Sequence, residues 1–61
     1  MILIFKGRKE EKQFEGSLID LIHSLGLYTQ EVVVKVNGKI VPETYEVKSN
    51  DVVEIIQVVY D

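Results

Sequence analysis

Val32-Val33-Val34-Lys35-Val36-Asn37-Gly38-Lys39-Ile40-Val41-Pro42 is the stretch that decides how this chain folds. Four valines around one lysine read as a strand, because β-branched side chains suit the pleated surface. Asn37-Gly38 favours the type I′ turn, whose twist matches that of the strands it joins. Lys39-Ile40-Val41 then returns as a short strand, stopped at Pro42, which has no N–H for a ladder. Lys35 points to solvent, so alternation puts Val34 and Val36 on a covered face and Val33 on the open face with Lys35. A sheet covered on one face needs an amphipathic partner.

That partner lies upstream. Leu18, Leu21, Ile22 and Leu25 fall at i, i+3, i+4 and i+7, one apolar helical stripe. Ser17 stands where an N-cap accepts a backbone N–H, and Asp20 three residues on gives a weak capping-box pattern. Gly26 reads as the left-handed C′ residue that ends the helix after about two turns.

Farther out, Ile2-Leu3-Ile4-Phe5 reads as a first strand, ended by Lys6 and Gly7. A turn over 7–10 then leads into a half-exposed second strand, Lys12-Gln13-Phe14-Glu15, with Phe14 inward. Residues 43–48 read as an irregular turn pinned by Tyr45 and Val47. In the turn Ser49-Asn50-Asp51, Asn50 is able to take a positive φ cheaply. Residues 52–59 form the last strand.

A helix between an N-terminal hairpin and later strands implies a crossover that lays the last strand parallel to the first at the sheet centre. The expected class is α+β, a ubiquitin-like β-grasp over 1–61 as one domain. It would have a mixed four- to five-stranded sheet with one helix packed on one face. A split α+β sheet of another strand order satisfies the same pattern.

Composition narrows the function. A chain of 61 residues buries only about 60% of its unfolded surface, so function is expected on the surface or at a terminus rather than in a deep pocket. Without cysteine there is neither a disulfide framework nor a thiolate metal site. A net charge of -3 opposes a phosphate backbone. Lys6, Arg8, Lys9 and Lys12 cluster near the first turn, but Glu10 and Glu11 interrupt them, and the reading is a solvated hairpin. No signal peptide is expected, and no apolar run approaches the ~18 residues of a membrane span. A soluble cytoplasmic protein, free of nucleic acid and membrane, is the expectation.

No catalytic constellation emerges. His23, the only histidine, falls opposite the helical stripe and has no cysteine or second histidine to join it on a transition metal. Ser17 or Ser24 with His23 and Asp20 makes a triad in name only, since residues of one short helix do not converge on a substrate. Gly7, Gly16, Gly26 and Gly38 stand singly and form no phosphate-cradling loop. Glu43, Glu46, Asp51 and Glu54 read as solvated surface. Tyr28 and Tyr45 read as partly buried residues over the core edges. The chain is expected to have no catalytic residues, metal or cofactor of its own.

Lys35-Val36-Asn37-Gly38-Lys39-Ile40-Val41-Pro42, followed by Asn50-Asp51-Val52-Val53-Glu54-Ile55-Ile56, resembles the ThiS family of sulfur carriers and, more loosely, the MoaD family. Asn50 stands where that pattern usually has glycine. The resemblance implies a carrier serving thiamine, molybdopterin or tRNA-thiolation chemistry. A C-terminal Gly-Gly would be adenylated by an ATP-using activating enzyme, converted to a thiocarboxylate and threaded into a sulfur-accepting partner. The sequence closes on Val58-Val59-Tyr60-Asp61, and a bulky Tyr60 and an acidic Asp61 do not suit that channel. Three expectations stay open: a natural end beyond Asp61, a relative that has lost carrier chemistry, and a carrier with an atypical terminus.

The resemblance also places Leu3, Phe5, Val53 and Ile55 under the helix. That leaves Ile2, Ile4, Val33, Ile56 and Val58 on the open face, where polar side chains are usual. An apolar open face marks a partner surface or self-association. The alternative function is therefore a non-carrier interaction module or homo-oligomer, and an RNA-binding β-grasp domain is third.

Overall fold

The computed structural model describes residues 1–58. Its main sheet has the order β2-β1-β7-β4-β5, built from β1 (Ile2–Phe5), β2 (Arg8–Glu11), β4 (Val32–Val36), β5 (Lys39–Ile40) and β7 (Val52–Gln57). β3 (Gly16–Ser17) and β6 (Glu46–Val47) form a separate two-stranded ribbon. Helix α1 (Leu18–Ser24) connects the N-terminal hairpin to the later strands. β1 and β7 run parallel at the sheet centre, and β4 pairs antiparallel with β7. This is the β-grasp arrangement, and the split sheet of another order is excluded.

The core lies between α1 and the sheet. Leu18, Leu21 and Ile22 pack with Leu3, Val34, Val36, Val53 and Ile55, and Met1 and Val47 close the ends. Leu25, on the same stripe, is partly buried against them. Ser17 caps the helix as its spacing predicts, its Oγ accepting from the Ile19 N–H at 3.2 Å. At the other end Gly26 has φ +76. Its N–H donates to the His23 carbonyl at 3.0 Å and the Leu27 N–H to the Ile22 carbonyl at 3.2 Å. That pair of bonds is the Schellman closure, and its left-handed residue is cheap only for glycine.

The structure corrects the N-terminal hairpin. Lys6 (φ 53) and Gly7 (φ 75) make a two-residue turn, so Phe5 already pairs with Arg8. The second strand is therefore Arg8–Glu11, not 12–15. Four charged residues are poor strand formers, yet they suit an edge, where charge discourages pairing with another chain. Phe14, beyond the strand, still packs on the core.

Gly16-Ser17 does not simply break a strand; it pairs with Val47 and Glu46. The Leu18 N–H donates to the Tyr45 carbonyl at 2.9 Å, fastening the start of the helix to 45–47. Residues 43–48 thus contain a strand that the irregular-turn reading lacked. Asn37 has φ 53, as the type I′ turn demands. Asn50 does not have positive φ: the turn closes through the Asp51 N–H on the Lys48 carbonyl at 3.1 Å. β7 ends at Gln57, and Val59 lies outside the described residues.

Candidate protein-docking face

Register settles which side chains share the face away from α1. Ile4 lies opposite Lys9 on β2 and Glu54 on β7, Glu54 opposite Lys35 on β4, and Lys35 opposite Ile40 on β5. One row across the sheet therefore reads Lys9, Ile4, Glu54, Lys35, Ile40. Toward the end of β7, Val33 faces Ile56. Toward its start, Ile2 faces Val52 and Glu11.

Of the residues expected here, Ile2, Ile4 and Val33 are half-buried by their neighbours, while Ile56 is 37% and Val58 38% exposed. The ladder runs through Val32 and Gln57 without a bulge, and the Val58 N–H donates to the Glu31 carbonyl at 2.8 Å. Tyr60 and Asp61, the tail residues singled out from the sequence, lie outside the described residues.

Sequence reasoning missed Ile40, which is 70% exposed. The signal was available: a two-residue turn at Asn37-Gly38 sets Val36 opposite Lys39, hence Lys35 opposite Ile40, on the same face. Val52 was missed too, although the inward Val53 forces it outward.

A depression of about 370 Å³ opens on this side, with Ile4, Lys6, Glu54 and Ile56 among its lining. It is broad and open to solvent. Such a shape accepts a protruding side chain rather than enclosing a small molecule, which would need ~70–90% of its surface covered.

One polar cluster lies at the end of the sheet where β7 begins, and it too departs from expectation. Asp51, read as solvated surface, is 5% exposed. Its Oδ2 accepts from the Lys48 N–H at 2.9 Å and the Tyr45 hydroxyl at 2.9 Å, and its Oδ1 accepts from Asn37 Nδ2 at 3.1 Å. Asn37 in turn accepts the Val52 N–H on its Oδ1 at 3.0 Å, and its own N–H donates to the Val52 carbonyl at 2.8 Å.

The Lys48 N–H chiefly, with the Tyr45 hydroxyl and Asn37, outweighs burial and holds the Asp51 carboxyl below the ordinary aspartate range. The same bond to Asp51, followed by burial and the carboxylate's charge, raises Tyr45. Shifted acids can mark catalysis. Here every donor and acceptor is matched inside the fold, and among the described residues no buried side-chain polar atom lacks a partner. The cluster is a structural knot joining the β4–β5 turn to the start of β7.

The other residues singled out from the sequence lie apart from these two features or at their margins. His23 and Asp20 are exposed, and Ser24 Oγ donates to the Leu21 carbonyl at 2.7 Å. Tyr28 is no lid: it is 63% exposed, because it stands before the 3₁₀ turn Thr29–Glu31 while Leu27 fills the core edge. Tyr45 does pack against the core. Among the described residues no cluster of three histidine, cysteine or acidic side chains is arranged to hold a metal, and no helix is long and apolar enough to cross a membrane.

The profile of the ThiS family matches residues 3–60. The chain belongs to the ThiS family. Its fold is similar to the crystal structure of a thiamine biosynthesis protein (ThiS) from Geobacter metallireducens, with a TM-score of 0.66 and 20% identity over 100% of this chain and 99% of that one. The motif residues quoted from the sequence divide between the two features just described. Asn37 and Asp51 belong to the knot, whereas Glu54 stands on the open face.

Proposed function

We propose that this ThiS-family protein is a sulfur carrier of the thiamine type, whose work is done through protein contacts and its C-terminal carboxylate rather than through catalytic side chains. In this reading an ATP-using activating enzyme joins AMP to the carboxylate and releases pyrophosphate. Sulfide-level sulfur (HS⁻ or its equivalent from a donor) then attacks the acyl carbon and AMP leaves, giving a thiocarboxylate, which is presented to a sulfur-accepting partner. The family match over residues 3–60 carries the reading.

The geometry agrees with it. β7 is a central strand, anchored on both sides by β1 and β4, so the chain leaves the sheet at Val58 from a rigid base. Ile56 and Val58 at that exit, with Val33, Ile4 and Ile2, form the surface on which the activating enzyme would dock. An enzyme seated there lies beside the end of β7.

The test is to incubate the protein bearing its native C-terminus with the cognate activating enzyme and ATP, and to follow pyrophosphate release and intact mass. The expected result is an acyl-adenylate and, once sulfide is added to it, the mass gain of one oxygen exchanged for sulfur. No adenylate under conditions where a known carrier is activated overturns the carrier reading. It would favour a non-carrier module, for which Ile40 and Ile56 still provide an apolar contact surface.

A further inference from the structure

We propose that the open sheet face is also the interface of a reversible homodimer, in which two copies pack face to face about a two-fold axis parallel to the strands, between β7 and β4. The inference does not rest on the carrier reading and comes from the pattern of the face itself. Rotation about that axis lays β7 on the second copy's β4 and β1 on its β5. Within the row Ile4, Glu54, Lys35, Ile40, Ile4 of one copy then meets Ile40 of the other, and Glu54 meets Lys35. In the next row Ile56 meets Val33. In these pairs each apolar residue finds an apolar one, and each charge its opposite.

Neighbouring axes fail. An axis along β7 sets Glu54 on its own copy, and one along β4 sets Lys35 on its own copy. Like charges so placed cost more than any other contact in the row returns. The chosen axis instead gathers two Glu54 and two Lys35 side chains into a square of alternating sign, since Glu54 and Lys35 already face each other within one copy. Buried ion pairs add little net affinity but strongly fix register. The driving contacts are those of Ile4, Ile40, Ile56 and Val33, while Lys9 and Glu11 on β2 overhang into solvent.

Two packed sheets keep their strands within about 30° of each other, which the same overlap satisfies. Four overlapping strands about 4.8 Å apart bury roughly 400–600 Å² per copy. The total of about 1,000 Å² stands at the lower edge of stable interfaces. The dimer is therefore concentration-dependent, and it covers the surface assigned above to the activating enzyme.

Sedimentation velocity of the whole chain, without any enzyme, tests this from roughly 10 µM to 1 mM, the range in which a weak interface populates. The wild type is expected to shift from monomer to dimer. Glu54→Lys and Lys35→Glu are each expected to stay monomeric, because each sets like charges together across the axis. Their equimolar mixture is expected to dimerise again, since one copy then carries two lysines and the other two glutamates. A role confined to the pair within one chain would not restore assembly on mixing.

Ile40→Lys serves if either charge variant fails to fold. Ile40 is 70% exposed, so its replacement leaves the core intact, and it is expected to weaken the dimer at least tenfold. A wild type that is monomeric throughout, a mixture that stays monomeric, or an Ile40→Lys protein that dimerises unchanged each overturns the proposal. None of these outcomes bears on adenylation, which is measured separately.

Discussion

Replacing Asp51 by asparagine keeps the size of the side chain and removes one acceptor and the charge. Three donors converge on the Asp51 carboxylate, two on Oδ2 and one on Oδ1. If the new amide keeps its oxygen toward Lys48 and Tyr45, its NH₂ meets Asn37 Nδ2, donor against donor. Asn37 cannot turn over to help, because its oxygen already accepts the Val52 N–H at 3.0 Å. Every arrangement therefore loses a bond. A hydrogen bond to a charged group contributes about 1.5–3 kcal/mol, and the shallow position of the knot in so small a protein favours the lower half of that range.

A loss of about 2 kcal/mol is large against the ~3–9 kcal/mol expected for a domain of this size. It corresponds to a Tm lower by roughly 8–16 °C. The measurement is urea unfolding followed by far-UV circular dichroism, for wild type and Asp51→Asn, between neutral and acid pH. The Asp51 carboxyl is depressed in the fold, chiefly by the Lys48 N–H. Its stabilisation is therefore fully present above the unfolded aspartate value of about 3.9 and lost as pH falls through the folded value. The gap between the two proteins should hold from pH 7 to about 5 and then close toward pH 2. Equal midpoints at pH 7, or a gap as wide in acid as at neutrality, would refute the knot as the source of stability.

The alkaline limb should mirror the acid one. Tyr45 is raised, first by its bond to Asp51, so its contribution is present below the usual tyrosine value of about 10 and disappears as pH rises through the folded value. Tyr45→Phe is expected to be less stable than wild type at pH 8, with the difference shrinking in unfolding curves taken above the usual tyrosine value. Gly26→Ala meets no atom within 4 Å, so its expected cost of about 1 kcal/mol is purely that of a left-handed alanine. Calorimetry on a synthetic chain with D-alanine at 26 should show no such loss. Lys6→Asn should raise Tm by a few degrees, since asparagine tolerates φ 53 better. The gain is limited because Lys6 Nζ, 5.4 Å from the centre of the Phe5 ring, is given up.

What could be read from the sequence was what periodicity encodes. The helical stripe Leu18, Leu21, Ile22, Leu25 and the alternation at Val34 and Val36 specify one covered sheet, and Ser17 and Gly26 mark the ends of the helix. The second strand was displaced because Arg8-Lys9-Glu10-Glu11 has no apolar alternation. Its pairing is imposed by the Lys6-Gly7 turn and by β1, not by its own side chains. β6 escaped notice for a related reason, being two residues long and held by Gly16-Ser17 from the far side of the chain. The burial of Asp51 was hidden because its partners lie 3, 6 and 14 residues away, a convergence that exists only once β4 and β7 are paired. The open face was legible wherever alternation could be trusted, and Ile40 was lost only because the hairpin register was not followed through.

The knot and the face depend on each other through register. Asn37 grips Val52 with both its backbone and its side chain, and Asp51 grips Asn37, so β4 and β7 are clamped where their ladder begins. A slip of one residue between them would turn Val53 and Ile55 out and bring Glu54 and Ile56 beneath the helix, since side chains alternate with a period of two. The clamp therefore reinforces a register that the burial of Val53 and Ile55 also imposes. It follows that Asp51→Asn, measured while still mostly folded, should keep the contact surface of Ile4, Ile40 and Ile56 intact, and lose dimerisation only in proportion to the fraction unfolded. A folded Asp51→Asn protein that no longer associates would mean that the register had changed, which a shift in the cross-strand amide contacts seen by NMR would reveal directly.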